Sequence, residues 1–176
     1  DHLARAWFET YKLPTITTNC SNNYGPFQYP EKLIPHMIHC ALSDKPLPVY
    51  GTGKNVRDWI HVEDHCNGIL LALTKGYPGE TYCFGGNAEK TNLDVVNTIC
   101  TTLDRISPRS DGKSYQEQIT FVEDRKGHDW RYAIDDSKAQ KDLGFQRNWE
   151  FDEGIESTIK WYLENQNWQR AVLGND

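Results

Sequence analysis

Residues 15–26 read TITTNCSNNYGP, and the change of character inside this stretch decides the fold. Thr15 to Cys20 is short and rich in β-branched side chains, the composition of a buried strand. Ser21 to Pro26 is a cluster of turn formers, so the strand is expected to end in a turn carrying several amides. The same succession recurs at Thr81-Tyr82-Cys83-Phe84, which runs into Gly85-Gly86. Between the two strands lie segments of helical period. Glu31 to Leu42 repeats apolar residues at Leu33, Ile34, Met37, Ile38 and Ala41, with Glu31 in the first turn and Pro35 early enough to be tolerated. Val62 to Lys75 carries Ile69, Leu70 and Leu73 and is closed by Gly76. Strands that alternate with helices predict an α/β fold, where ligands collect at the carboxyl ends of parallel strands.

Outward from this centre, Leu47 to Tyr50 and Arg57 to Val62 are extended runs around Gly51-Thr52-Gly53-Lys54-Asn55, which predicts a hairpin with a Gly-rich loop. Asn92 is placed to cap a helix bearing Leu93, Val96, Ile99, Cys100 and Leu103. Ser107 to Gln118 reads as loop and Ile119 to Val122 as a short strand. Asp136 to Leu143, closed by Gly144, and Asp152 to Asn165 complete the helices. The chain opens without Met on DHLARAWFETYKL, where Leu3, Ala6, Trp7 and Thr10 recur at helical spacing. This reads as the body of a helix cut from a longer protein, so the 176 residues are expected to be a C-terminal part.

Composition narrows the function. The chain has 19 basic and 25 acidic residues, a net charge of −6, and mean hydropathy is −0.73. No stretch approaches the roughly 18 apolar residues of a membrane span, and an acidic chain argues against a general nucleic-acid binder. Cys20, Cys40, Cys66, Cys83 and Cys100 are odd in number and scattered, without a C-x-x-C pair, which predicts reduced thiols and a cytoplasmic address. The opening residues lack the basic start and apolar run of a signal peptide.

No G-x-G-x-x-G, Walker loop or G-x-S-x-G occurs. Gly51-Thr52-Gly53-Lys54 half-matches a phosphate loop, but it lacks the spacing and the Ser/Thr after Lys, so a turn is expected. His61, Asp64 and His65 form an H-x-x-D-H cluster for which no third metal ligand is evident; an Asp near a helix start beside two partly buried histidines is the expectation. His36 and His39 read as ordinary surface or interface residues. The Asn-rich stretch 19–26 suits a sugar, a diphosphate or a carboxamide, or else bonds its own backbone. Asp124-Arg125-Lys126-Gly127-His128-Asp129-Trp130-Arg131 is a basic knot in an acidic chain, suited to an anion or to a solvated loop. Arg57 is a second candidate cation, or a partner of Asp58.

Taken together, TNCSNNYGPFQYPEKLIP, LPVYGTGKNVRDWIHVEDH, ETYCFGG, NLDVV, DRKGHDWRYAIDDSKAQKDLGF and WEFDEGIESTIKWYL resemble, in order and spacing, the C-terminal half of the dTDP-glucose 4,6-dehydratase family in the extended short-chain dehydrogenase/reductase superfamily. NxYGP, RDWIHVxD and LGF mark only the superfamily; SNNYGPFQYPEKLIP and DRKGHDxRYAID point to the dehydratases. The resemblance implies an extended Rossmann-type α/β fold. Residues 1–176 would be one fragment in which the last parts of the NAD-binding sheet interleave with the sugar-nucleotide-binding domain, the N-terminal NAD-binding part being absent. It implies a lyase of deoxysugar biosynthesis in which hydride passes from C4 of glucose to NAD, water leaves across C5 and C6, and hydride returns to C6. The Tyr and Lys of a Y-x-x-x-K motif, an Asp and Glu pair and the Gly-rich nucleotide loop would all precede Asp1, leaving no catalytic residue here and an inactive fragment.

By the same resemblance, Asn22 touches substrate and Asn23 lies near the nicotinamide. Lys32, Leu33, Pro48, Val49 and Tyr50 lie at the nucleotide, with Tyr50 against the thymine. Arg57 and Asn92 serve the diphosphate, and Asp124, Arg125, Lys126, Gly127 and His128 form a loop closing over the nucleotide. The family usually has Pro where Lys126 stands, and Ser107 to Gln118 is slightly longer than expected. A homodimer is implied, with Trp7 and Tyr11 in a shared helical bundle, and a dTDP-sugar as substrate. The alternatives are a sister UDP- or GDP-sugar epimerase, decarboxylase or dehydratase, and a non-catalytic sugar-nucleotide-binding module.

Overall fold

The computed structural model describes residues 1–174. Helix α1 (His2–Tyr11) leads into β1 (Thr17–Cys20), β2 (Asn22–Tyr24), α2 (Leu33–Leu42), β3 (Leu47–Tyr50), β4 (Val56–His61) and α3 (Val62–Lys75). Then follow β5 (Thr81–Phe84), β6 (Glu89–Thr91), α4 (Asn92–Ile106), a 3-10 turn at Tyr115–Gln118, β7 (Ile119–Val122) and β8 (Arg131–Tyr132). Helices α5 (Ser137–Leu143), α6 (Phe151–Glu164) and α7 (Gln166–Leu173) close the chain. The pairs β1–β5, β2–β4, β3–β7 and β4–β8 are parallel, and β4–β6 is antiparallel. The α/β class expected from the alternation of elements holds.

The stretch that decides the fold differs in detail from its reading. Ser21 donates its N–H to Phe84 O, continuing the β1–β5 ladder, and the next three residues then change partner and pair with Trp59–His61. The expected turn at Asn22–Tyr24 is therefore a strand, because a ladder to β4 outweighs the local turn preference of Asn. Strand β1 itself is half-buried throughout instead of buried.

The expected hairpin is absent. Strand β3 pairs with β7 while β4 pairs with β2, β6 and β8. The loop between them supports α4 instead. Gly53 O accepts from Leu93 N and Asn55 O from Asn92 N, both at 3.0 Å, so the loop carbonyls satisfy the first amides of that helix. Gly53 has φ +69°, and an added Cβ would lie 2.8 Å from Val49 Cγ1 and 2.9 Å from Leu93 Cβ, so only Gly fits.

Helix starts also shift. Thr91, not Asn92, caps α4: Thr91 Oγ1 accepts from Asp94 N and Asp94 Oδ2 from Thr91 N, a complete capping box. Helix α2 begins at Leu33 behind an extended Lys32, and Glu31 lies outside it, paired with Lys32 at 2.8 Å. Pro35 falls in the first turn, where its missing N–H costs nothing. Helix α7, unread in the sequence because Asn165 looks like a stop signal, packs Trp168 against Trp161 at 5.2 Å.

One core lies among α2, α4 and α6, around Ile34, Ile38, Val96, Ile99, Leu103, Ile155 and Ile159. A second joins β4 and β5 to α3 and α5 through Ile60, Ala72, Phe84, Leu143 and Phe145. The apolar residues Ile69, Leu70 and Leu73 of α3 belong to neither and are exposed, as are Leu3, Trp7 and Tyr11 of α1.

Candidate functional site

Successive side chains of a strand point to opposite faces, and β4 uses this to separate two chemistries. Arg57 and Trp59 line a cavity of about 1030 Å³. Asp58, 1% exposed, points away from it and accepts from Gly86 N at 2.8 Å and Ala88 N at 2.7 Å. The alternative pairing of Arg57 with Asp58 is not formed. Arg57 instead donates from Nη1 to Val56 O at 2.7 Å and from Nη2 to Asp129 O at 2.8 Å.

Several further segments converge on this cavity with β4. Strand β2 contributes Asn22 and Asn23, the start of α2 Lys32 and Leu33, β3 Pro48 and Tyr50, and α4 Asn92. The loop before β8 contributes Arg125 and His128. Four residues named from the sequence do not line it. Val49, 2% exposed, lies on the core face of β3, which strand alternation between Pro48 and Tyr50 requires. Asp124, Lys126 and Gly127 are exposed and do not reach the cavity wall. The basic knot thus divides: Arg125 faces the cavity, while Arg131 is held bidentately by Glu89 at 2.7 and 2.6 Å. Gln28, His36, Met37 and Trp59 also line it and were missed. Trp59 was legible as the residue two beyond Arg57; His36 had no signal beyond its helix.

The cavity is electropositive at one end. Arg57, Arg125 and His128 meet beside Asn92, and the Arg125 guanidinium lies 5.1 Å from the centre of the Tyr50 ring. Asp124 accepts from His128 Nδ1 at 2.7 Å, and that bond holds its carboxyl below the usual range. The first three amides of α4 are already bonded, to Asn55 O, Gly53 O and Thr91 Oγ1. An anion here is therefore left to side chains rather than to a helix terminus.

At the other end, Asn23 is fixed on three sides. Its Nδ2 donates to Cys20 Sγ at 3.2 Å and Ser21 O at 3.1 Å, and its Oδ1 meets His65 Nδ1 at 2.9 Å. Burial lowers the pKa of His65, and with Asn23 Oδ1 as acceptor it is Nδ1 that donates in that bond. Burial likewise lowers His61, against the raising influence of Glu63 and Asp64. Asp64, 1% exposed, accepts from Asn148 N, Asn148 Nδ2 and Trp149 N at 2.9, 3.2 and 3.1 Å. The H-x-x-D-H cluster thus joins α3 to the segment before α6. Among the described residues no group of three potential metal ligands occurs.

The chain matches the GDP-mannose 4,6 dehydratase family over residues 1–158. It is 56% identical over 173 residues to dTDP-glucose 4,6-dehydratase of Xanthomonas campestris, covering 98% of this chain and 49% of that protein. The crystal structure of dTDP-glucose 4,6-dehydratase from Bacillus anthracis, in complex with NAD, superposes with a TM-score of 0.87 at 46% identity, over 98% of this chain and 52% of that one. The Streptomyces venezuelae dTDP-glucose 4,6-dehydratase, with NAD bound, gives a TM-score of 0.88 at 40% identity over 97% of this chain and 50% of the other. The chain spans about half the length of the curated relatives it matches.

Proposed function

The chain belongs to the GDP-mannose 4,6 dehydratase family, and from that premise we propose that it is the C-terminal, substrate-binding part of an NAD-dependent dTDP-glucose 4,6-dehydratase. The intact protein is then a cytoplasmic lyase that converts dTDP-glucose to dTDP-4-keto-6-deoxyglucose. One observation carries this reading: Arg57, Asn92, Arg125 and His128 crowd one end of a cavity whose wall continues through Leu33, Pro48 and Tyr50. Guanidinium forks suit a diphosphate, and an apolar and aromatic wall suits a base. Asn22 is assigned to the sugar. Lys126, Gly127 and Asp124 support the loop, and Val49 backs the base wall from the core.

The residues present fit only the nicotinamide end of NAD, where the immobilised amide of Asn23 offers a fixed polar edge. That cofactor, when bound, supplies the hydride acceptor. This chain's part is to hold the substrate's nucleotide and orient its sugar; the proton-transfer groups are assigned to sequence outside these 176 residues.

The exposed Leu3, Trp7 and Tyr11 of α1 and Ile69, Leu70 and Leu73 of α3 support a homodimer through these helices. Light scattering from the intact protein is expected to give a dimer, and a monomer at micromolar concentration would contradict it. Incubating the intact protein with dTDP-glucose, UDP-glucose and GDP-glucose tests the activity. A 4-keto-6-deoxy product is expected from dTDP-glucose; equal turnover of UDP- or GDP-glucose would favour a sister enzyme, and 4-keto-6-deoxy product from the 176 residues alone would overturn the placement of the catalytic groups.

A further inference from the structure

We infer that Asn55 is a positioning residue for the electropositive end of the cavity, joining Arg57, Asn92 and the loop that bears Arg125 and His128. The inference rests on the reading of that end as a diphosphate site. Asn55 does not line the cavity and is 5% exposed, so its amide needs partners inside the protein.

Those partners are the site's own supports. Asn55 Nδ2 donates to Asp129 O at 3.1 Å, and the same carbonyl accepts from Arg57 Nη2 at 2.8 Å. A carbonyl oxygen has two lone pairs, and here two donors share it. The Asn55 bond holds that carbonyl where it can tether one arm of the guanidinium, while Val56 O tethers the other arm at 2.7 Å. Arg has five N–H groups, so these two bonds orient the fork and still leave donors for an anion.

The main chain of Asn55 acts on the second member of the site. Its carbonyl accepts from Asn92 N at 3.0 Å, which fixes the first residue of α4 and with it the side chain that enters the cavity. The next residue, Val56, donates its N–H to Trp130 O at 2.8 Å. The segment carrying Arg125 and His128 is therefore anchored at 129–130 by two successive residues of one strand entrance. Asp at this position would match the size of Asn, but it would turn an acceptor toward the Asp129 carbonyl and bring a negative charge beside Arg57.

Calorimetric titration of dTDP and of thymidine into the intact protein and its Asn55→Ala and Asn55→Asp variants tests this. Thymidine lacks the diphosphate and reports whether the base wall and the fold survive. Loss of a buried bond to a group that holds a charged donor is expected to weaken dTDP by about tenfold in Asn55→Ala, and further in Asn55→Asp, with thymidine changed less than about twofold. Because Asn55 acts through Arg57, adding Asn55→Ala to Arg57→Ala is expected to cost clearly less than it does in the wild type. Asn55→Ser, polar but too short to reach the Asp129 carbonyl, carries the test where Asn55→Ala or Asn55→Asp does not fold, with the same selective loss for dTDP expected. Equal losses for thymidine and dTDP would make Asn55 a residue of the fold alone, and unchanged dTDP affinity would remove it from the site. A wild type that binds thymidine but gains nothing from the diphosphate would remove the diphosphate reading itself, and this inference with it.

Discussion

Arg57 and Asp58 are neighbours in the chain with opposite charges, and they occupy opposite kinds of environment. Asp58 on β4, like Asp64 in the first turn of α3, is buried and holds backbone amides from distant segments, Gly86 and Ala88 in one case, Asn148 and Trp149 in the other. Arg57 is half-buried, tethered to two carbonyls and open to the cavity. The two regions show how one strand can supply both framework and function. Buried carboxylates that accept from main-chain amides lock loops together, and charges with unused donors wait for a ligand.

The framework region should carry the largest stability effects. Asp64→Ala takes a buried carboxylate from the N–H groups of Asn148 and Trp149, and about 1.5–3 kcal/mol of unfolding free energy should be lost. Denaturant unfolding of the intact protein measures it, and a loss below about 1 kcal/mol would show that those amides find other partners. A smaller effect should appear with acid. His39, His61 and His65 all have pKa values lowered chiefly by burial from the ordinary 6.5. The unfolded chain takes up protons at these rings before the folded one does, so their contribution is complete above the ordinary value and is lost as pH falls from there toward the lowered folded values. His65→Gln should flatten that part of the stability curve; an unchanged slope would contradict burial as the cause. At the bottom of the stability scale stands Arg57→Ala, with no more than about 1 kcal/mol expected at its half-open position.

Much of this division was readable in the sequence, for physical reasons that differ by residue. Strand β5 and helix α5 follow from composition and closing glycines, because each packs against a core; helix α3 shows its period in Ile69, Leu70 and Leu73, which are exposed, while the face it buries is Asp64, Gly68 and Ala72. Strands β6 and β8 are three and two residues long, too short to show a period. Strand β2 is written in turn residues and exists only because β4 lies beside it. The cavity's residues were nameable through family resemblance, yet Val49 was misplaced although the alternation of β3 puts it opposite Pro48 and Tyr50. Asn55 gave no local signal, since its role depends on a carbonyl 74 residues away along the chain.

The central claim is that the open end of the cavity grips a diphosphate through Arg57. Calorimetric titration of dTDP into the intact wild-type, Arg57→Lys and Arg57→Ala proteins tests it most directly. Charge-assisted hydrogen bonds of this kind are worth roughly 1.5–3 kcal/mol, so Ala should weaken dTDP by about tenfold or more, with Lys between because it keeps the charge and loses the planar fork. Unchanged affinity in a folded Arg57→Ala protein would contradict the account.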